Sequence, residues 1–154
     1  MKFEPAFNGF AEAYDRGEPQ VVWTSLVADV ETPVSAFLKL ARGKPYSFVL
    51  ESVEGGAVRG RYSFIGLEPD LIWRCQGNTA EINRDALDKE DAFAPCPVAE
   101  AEGAIASLRS LVAESRIDLP DGLPPMSAGL VGYAAYDTVR LVEDIPDTNP
   151  DTLG

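Results

Sequence analysis

Histidine is missing altogether from this sequence of 154 residues. A Ser-His-Asp triad, a Cys-His nucleophile pair and imidazole-bound metal sites are excluded with it. Cysteine is scarce, and Cys75 and Cys96 are too few and too separated to define a zinc site. No apolar core follows Met1-Lys2-Phe3-Glu4-Pro5, so no signal peptide is expected. Two reduced, packed thiols in a cytoplasmic protein are the expectation. No apolar run reaches the length needed to cross a membrane. Cationic residues are outnumbered, 13 against 25 acidic ones, for a formal net charge of −12. Such a surface does not attract nucleic acid or an anionic membrane, and neither is expected as a partner. Glycine-rich runs ending in Lys-Ser/Thr, which would cradle phosphates, are absent. The many carboxylates include no grouped acidic motif on a helix that would suggest a magnesium site. There is no internal repeat.

What is present is the composition of a soluble globular chain, 45% hydrophobic and 25% charged, long enough to bury a real core. Its clearest stretch is Tyr46–Pro69, YSFVLESVEGGAVRGRYSFIGLEP. Two apolar, aromatic-rich runs, Tyr46–Val53 and Val58–Leu67, flank Glu54-Gly55-Gly56, the pattern of an antiparallel hairpin. Phe48, Leu50 and Ser52 fall on one face, and Ser47, Val49, Glu51 and Val53 on the other. With a loop over 54–57, Glu51 sits one position from Arg61; one more loop residue or a bulge sets them opposite each other. Carboxylate, hydroxyl and guanidinium on neighbouring strands could complement an amino acid's ammonium and carboxylate. They could equally form a cross-strand salt bridge with a satisfied serine.

Around that hairpin the chain reads in order. Phe7, Phe10 and Tyr14 recur at helical spacing over Phe7–Arg16, and Gly17 offers a stop. Val21–Ala28 is β-branched and aromatic, a strand. Thr32-Pro33 opens a helix with Val34, Phe37, Leu38 and Ala41 on one face, and Gly43 closes it. Leu71–Cys75 and Thr79–Asn83 form a strand pair turning at Gly77-Asn78. Charged, Pro-bearing residues 84–97 read as a surface loop with local disorder. The spacing predicts one long helix over Val98–Ser115, with Ala101, Ala104, Ile105, Leu108, Leu111 and Val112 buried. After a Pro/Gly-rich link, Ala128–Ala135 reads as a strand whose Gly129 and Gly132 leave room for something packed close above. Tyr136–Glu143 suits a short helix, and Asp144–Gly154 a linker. Runs of strands followed by helices give an α+β class, mainly antiparallel.

The run LESVEGG followed by GRYSFIGLEP, preceded by TPVSAFLKL, resembles the N-terminal part of anthranilate synthase component I. GLVGYAAYDTVRLVE, Gly129–Glu143, is similar to that family's glycine-rich strand and its YD-x-V-R segment. The resemblance extends from about Val21 to the C-terminus, is weak around Asp85–Pro97, and belongs within the chorismate-utilising enzymes. It implies two packed antiparallel sheets with flanking helices, an incomplete part of the larger fold. Residues 1–154 would be the N-terminal, regulatory domain, and the chorismate-binding C-terminal half is not in this sequence. The full enzyme is implied to be a lyase that needs Mg²⁺. It takes ammonia from a glutamine amidotransferase partner and converts chorismate to anthranilate and pyruvate, the first committed step of L-tryptophan biosynthesis. No catalytic residue, metal ligand or cofactor is expected in these residues, and no activity from them alone. The resemblance implies an L-tryptophan feedback site at Leu50, Glu51, Ser52 and Arg61, with Glu51 on the α-ammonium and Arg59 the alternative to Arg61. Aminodeoxychorismate synthase component I is the neighbouring possibility. A stand-alone amino-acid-sensing or interaction domain is the other.

Overall fold

The structure, a computed structural model, describes residues 1–51, 62–124, 126–146 and 148. It is α+β, with two small antiparallel sheets and short helices in two compact units.

The first unit comprises Met1–Asp70 with Arg116–Gly129. Helix α1, Phe7–Asp15, ends at Arg16, and Gly17 follows at φ 69°. Helix α2, Pro33–Leu40, begins as expected: Thr32 Oγ1 accepts from the Ser35 N–H at 3.1 Å. The Ser35 hydroxyl closes the capping box by accepting from the Thr32 N–H at 2.9 Å. Strands β1, Phe48–Leu50, and β2, Phe64–Gly66, pair antiparallel in the register Phe48–Gly66, Val49–Ile65, Leu50–Phe64, and α2 packs on both. Gly66 is required there, because a Cβ would lie 2.1 Å from the Phe48 ring.

The predicted strand over Val21–Ala28 is not formed; only Trp23 pairs, in an isolated antiparallel bridge with Glu4. Its β-branched composition finds no neighbouring strand among the described residues, and without a ladder composition alone makes no strand. Ala41 is the one buried hydrophobic residue of this unit among those described, while Leu26, Val27 and Val30 stand exposed.

The second unit comprises Leu71–Ser115 with Leu130–Gly154. Strands β3, Ile72–Gln76, and β4, Thr79–Asn83, turn at Gly77-Asn78, with Gly77 at φ 56°. That left-handed first turn position is the one a two-residue hairpin gives to glycine. The loop expected over residues 84–97 instead carries a third strand, β5, Ala94–Pro95, paired to β4. Asn83 fixes it. Fully buried, it donates to the carbonyls of Lys89 at 2.6 Å and Glu90 at 3.1 Å and accepts from the Asp85 N–H at 2.9 Å. Local composition is charged, but one buried amide satisfies the returning backbone.

The single helix predicted over Val98–Ser115 is two: α3, Pro97–Glu102, and α4, Ala104–Glu114, broken at Gly103. Gly103 adopts φ 90°, and the Ala104 N–H donates to Asn78 Oδ1 at 2.8 Å. A hairpin side chain thus takes over an amide that a continuous helix would have bonded internally. The break also re-phases the buried face. Ala104, Ser107 and Leu111 are inside, whereas Leu108 and Val112 are exposed.

Ala80, Ile82, Cys96, Ala99, Ala104 and Leu111 form the core, with Leu71, Trp73, Cys75, Val98 and Leu141 against it. The predicted short helix near the end is a 3₁₀ helix, Tyr136–Leu141. Ala128–Ala135 enters no ladder among the described residues, contrary to its strand pattern. No helix among the described residues is long and apolar enough to cross a membrane.

Candidate effector site

Strand β1 delivers one of the four predicted residues, and the position after it a second. Leu50 ends the ladder opposite Phe64 and is 41% exposed. Pairs directly opposite share a sheet face, so Phe48, Leu50 and Phe64 lie on one side and Val49 and Ile65 on the other. Tyr62 extends the first side, its ring 6.1 Å from that of Phe64 with the planes tilted by 49°. This end of the hairpin therefore presents an aromatic and aliphatic surface.

Glu51 follows directly, past the last rung, and is exposed. Carried one step further, the observed register sets Ser63 opposite Glu51, rather than Arg61. Among the described residues Glu51 makes no ion pair or hydrogen bond. Ser52 and Arg61, and Arg59 as the alternative basic residue, lie outside the described residues.

The far end of the hairpin holds two residues in the left-handed region, Tyr46 and Glu68, each at φ 52°. Lys44 Nζ contacts Glu68 Oε1 at 2.9 Å there, tying the chain before β1 to that after β2. The hairpin is anchored at one end and offers its apolar face at the other.

A cleft of about 480 Å³ in the first unit contains none of the predicted residues. Glu4, Trp23, Asp118 and Asp121 line it together with prolines, residues from distant parts of the chain that no local motif could have linked. The two cysteines are free, Cys96 buried. Cys75 faces Ala80, and the Cys96 N–H donates to the Ala80 carbonyl on the opposite side, so the two Cα atoms sit two strand spacings, ~9–10 Å, apart. That separation is beyond disulfide reach. Ser107 joins Cys96 to Trp73, with its hydroxyl 3.0 Å from the Cys96 sulfur and accepting the Trp73 indole N–H at 2.9 Å. The Ser107 hydroxyl holds the Cys96 thiol below its ordinary value, burial opposing, with the Ala99 and Val98 amides and Arg84 assisting. No group of three or more Cys, Asp or Glu among the described residues could hold a metal ion.

The chain aligns with anthranilate synthase component 1 of Cereibacter sphaeroides at 49% identity over 149 residues, 97% of this chain and 29% of that protein. By sequence it belongs to the anthranilate synthase component 1 family. The component 1 of Synechocystis is 36% identical over 140 residues, 90% of this chain and 26% of the relative. That of Thermus thermophilus is 38% identical over 133 residues, 84% and 25%. The chain thus spans between a quarter and a third of the length of these relatives, at their N-terminal region. No protein-family model and no solved structure matches it.

Proposed function

We propose that this chain is the N-terminal portion of a cytoplasmic anthranilate synthase subunit and carries its feedback site for L-tryptophan. The observation behind the site is a Glu51 carboxylate with no partner among the described residues, beside the Leu50, Phe64 and Tyr62 face. An α-amino acid with a flat aromatic side chain needs that combination. The carboxylate meets its ammonium, and the rings meet its indole. Ser52 and Arg61 would take its carboxylate, the Arg by a bidentate pair.

The chemistry lies elsewhere. Histidine is absent from the sequence, and the described residues hold no group of three or more Cys, Asp or Glu placed to bind a metal ion. Chorismate, Mg²⁺ and ammonia from an amidotransferase component II would be handled by the remainder of the longer chain, and the present residues alone would be inactive. Tryptophan inhibits by binding one state of the subunit more tightly than the other, which requires the site to differ between states.

The test is anthranilate formation by the full-length subunit, with and without L-tryptophan, in wild type and Glu51→Ala. Uninhibited activity should be kept. The half-inhibitory tryptophan concentration should rise by about tenfold or more, the equivalent of ~1.4 kcal/mol for a lost charge-assisted contact. Unchanged inhibition in Glu51→Ala would remove the site from this hairpin.

A further inference from the structure

The cleft of about 480 Å³ in the first unit is built from separate stretches of chain, within residues 4–5, 19–23 and 118–121. Three prolines and the Trp23 indole wall it, and the carboxylates of Glu4, Asp118 and Asp121 line it with no Lys or Arg. Backbone hydrogen bonds hold the wall in place: the Trp23 N–H donates to the Glu4 carbonyl at 2.8 Å and the Glu4 N–H to the Trp23 carbonyl at 2.9 Å. Asp118 and Asp121 are exposed and make no ion pair among the described residues. Glu4 meets only the exposed Lys2, at 2.6 Å. Gln20 spends its amide nitrogen on the Phe10 carbonyl at 3.0 Å, which leaves its Oε1 without a described donor. The indole N–H apart, the unspent polar groups of the lining are acceptors.

Elsewhere the same chain shows what such a set of groups holds. The Arg74 guanidinium lies 3.7 Å from the centre of the Phe93 ring and pairs with Glu81 at 2.8 Å. Ring and carboxylate hold it together, by cation–π attraction and a charge-assisted hydrogen bond. The cleft offers the ring and the carboxylates, and its lining residues supply no guanidinium.

We propose that this cleft receives an arginine side chain of a protein partner, its guanidinium against Trp23 and bonded to Asp118 and Asp121. A guanidinium carries five donors and no acceptor, the complement of this lining, and its plane suits an indole better than a lysine ammonium does. Free arginine is the poorer occupant, because its own carboxylate would enter a cleft lined by three others and no cation. A net charge of −12 favours encounter with a basic partner. None of Leu50, Glu51, Tyr62 and Phe64 lines the cleft, so the proposal stands apart from the effector site.

Fluorine NMR of the full-length subunit labelled with fluorotryptophan tests it, with the Trp23 signal assigned by its loss in Trp23→Phe. The probe is N-acetyl-arginine methylamide, an arginine side chain without a free carboxylate. It should shift the Trp23 signal saturably, with a Kd on the order of millimolar, and leave the Trp73 signal in place. Asp118→Asn combined with Asp121→Asn should weaken that binding by about tenfold or more. The corresponding citrulline derivative, which keeps the shape and loses the charge, should bind as poorly. An unmoved Trp23 signal, equal binding of the citrulline derivative, or full binding in the double variant would overturn the proposal. Equal binding of free arginine would overturn the protein partner in favour of a small-molecule ligand. Tryptophan inhibition is untouched by any of these outcomes, since it holds or fails through Glu51.

Discussion

Gly66 shows how much one missing methyl can decide. The space a Cβ would occupy is already filled by the Phe48 ring, at 2.1 Å from its Cε1 atom. Phe48 stands directly opposite Gly66 in the β1–β2 ladder, so its ring lies across that position. Gly66→Ala should lower stability in urea by about 1–3 kcal/mol, the usual cost of overpacking, with Gly132→Ala in the same chain as the neutral control. Equal loss in both would mean that the ring moves aside easily. At this scale the sequence was partly legible. The cap at Thr32 was readable because the donor and acceptor are three residues apart. Asn83 was not, since its three partners lie in the returning loop and only the folded chain brings them to it.

Among the elements, the tie between the end of β4 and the end of α4 is ionic. Arg84 contacts Glu114 through both nitrogens, at 2.5 and 2.8 Å, and this hydrogen bonding lowers the Glu114 carboxyl below its ordinary 4.5. Glu31 is lowered similarly, first by its hydrogen bond to Lys39 and then by Ser35. A carboxylate whose folded value is depressed adds stability above its unfolded value, and that stability is lost as pH falls through the folded one. Stability should therefore fall off as pH drops below about 4.5, and Arg84→Gln should make that fall shallower by lowering stability at pH 7 by the same small amount. Urea midpoints measured between pH 3 and 7 would decide it; an unaltered slope in the variant would show that the pair is too solvated to matter. The helix break at Gly103 belongs to this scale too. Periodicity over residues 98–115 favours one helix, and the interruption comes from Asn78 on a hairpin about 25 residues earlier.

For the whole molecule, the distribution of buried apolar residues separates the two units. The described core lies in Leu71–Ser115 with Leu130–Gly154, whereas Ala41 is the one buried hydrophobic residue among those described in the other unit. Each contains one tryptophan, Trp23 in the first and Trp73 in the second. Urea unfolding followed separately in Trp73→Phe and Trp23→Phe variants should give an earlier transition for the Trp23 signal, because local stability follows buried apolar contact. Coincident transitions would establish a single cooperative unit. The sequence alone determined the α+β class, the hairpin at Tyr46–Pro69, the β3–β4 turn and the exclusion of histidine chemistry, because each rests on residue type or on neighbours a few positions apart. It also carried the family, since the motifs are local. Only the tertiary structure decided that Val21–Ala28 and Ala128–Ala135 enter no sheet among the described residues, that residues 84–97 return as a third strand, and that Glu51 stands without a described partner. Those outcomes depend on which segments meet across the fold, and neither composition nor periodicity encodes that meeting.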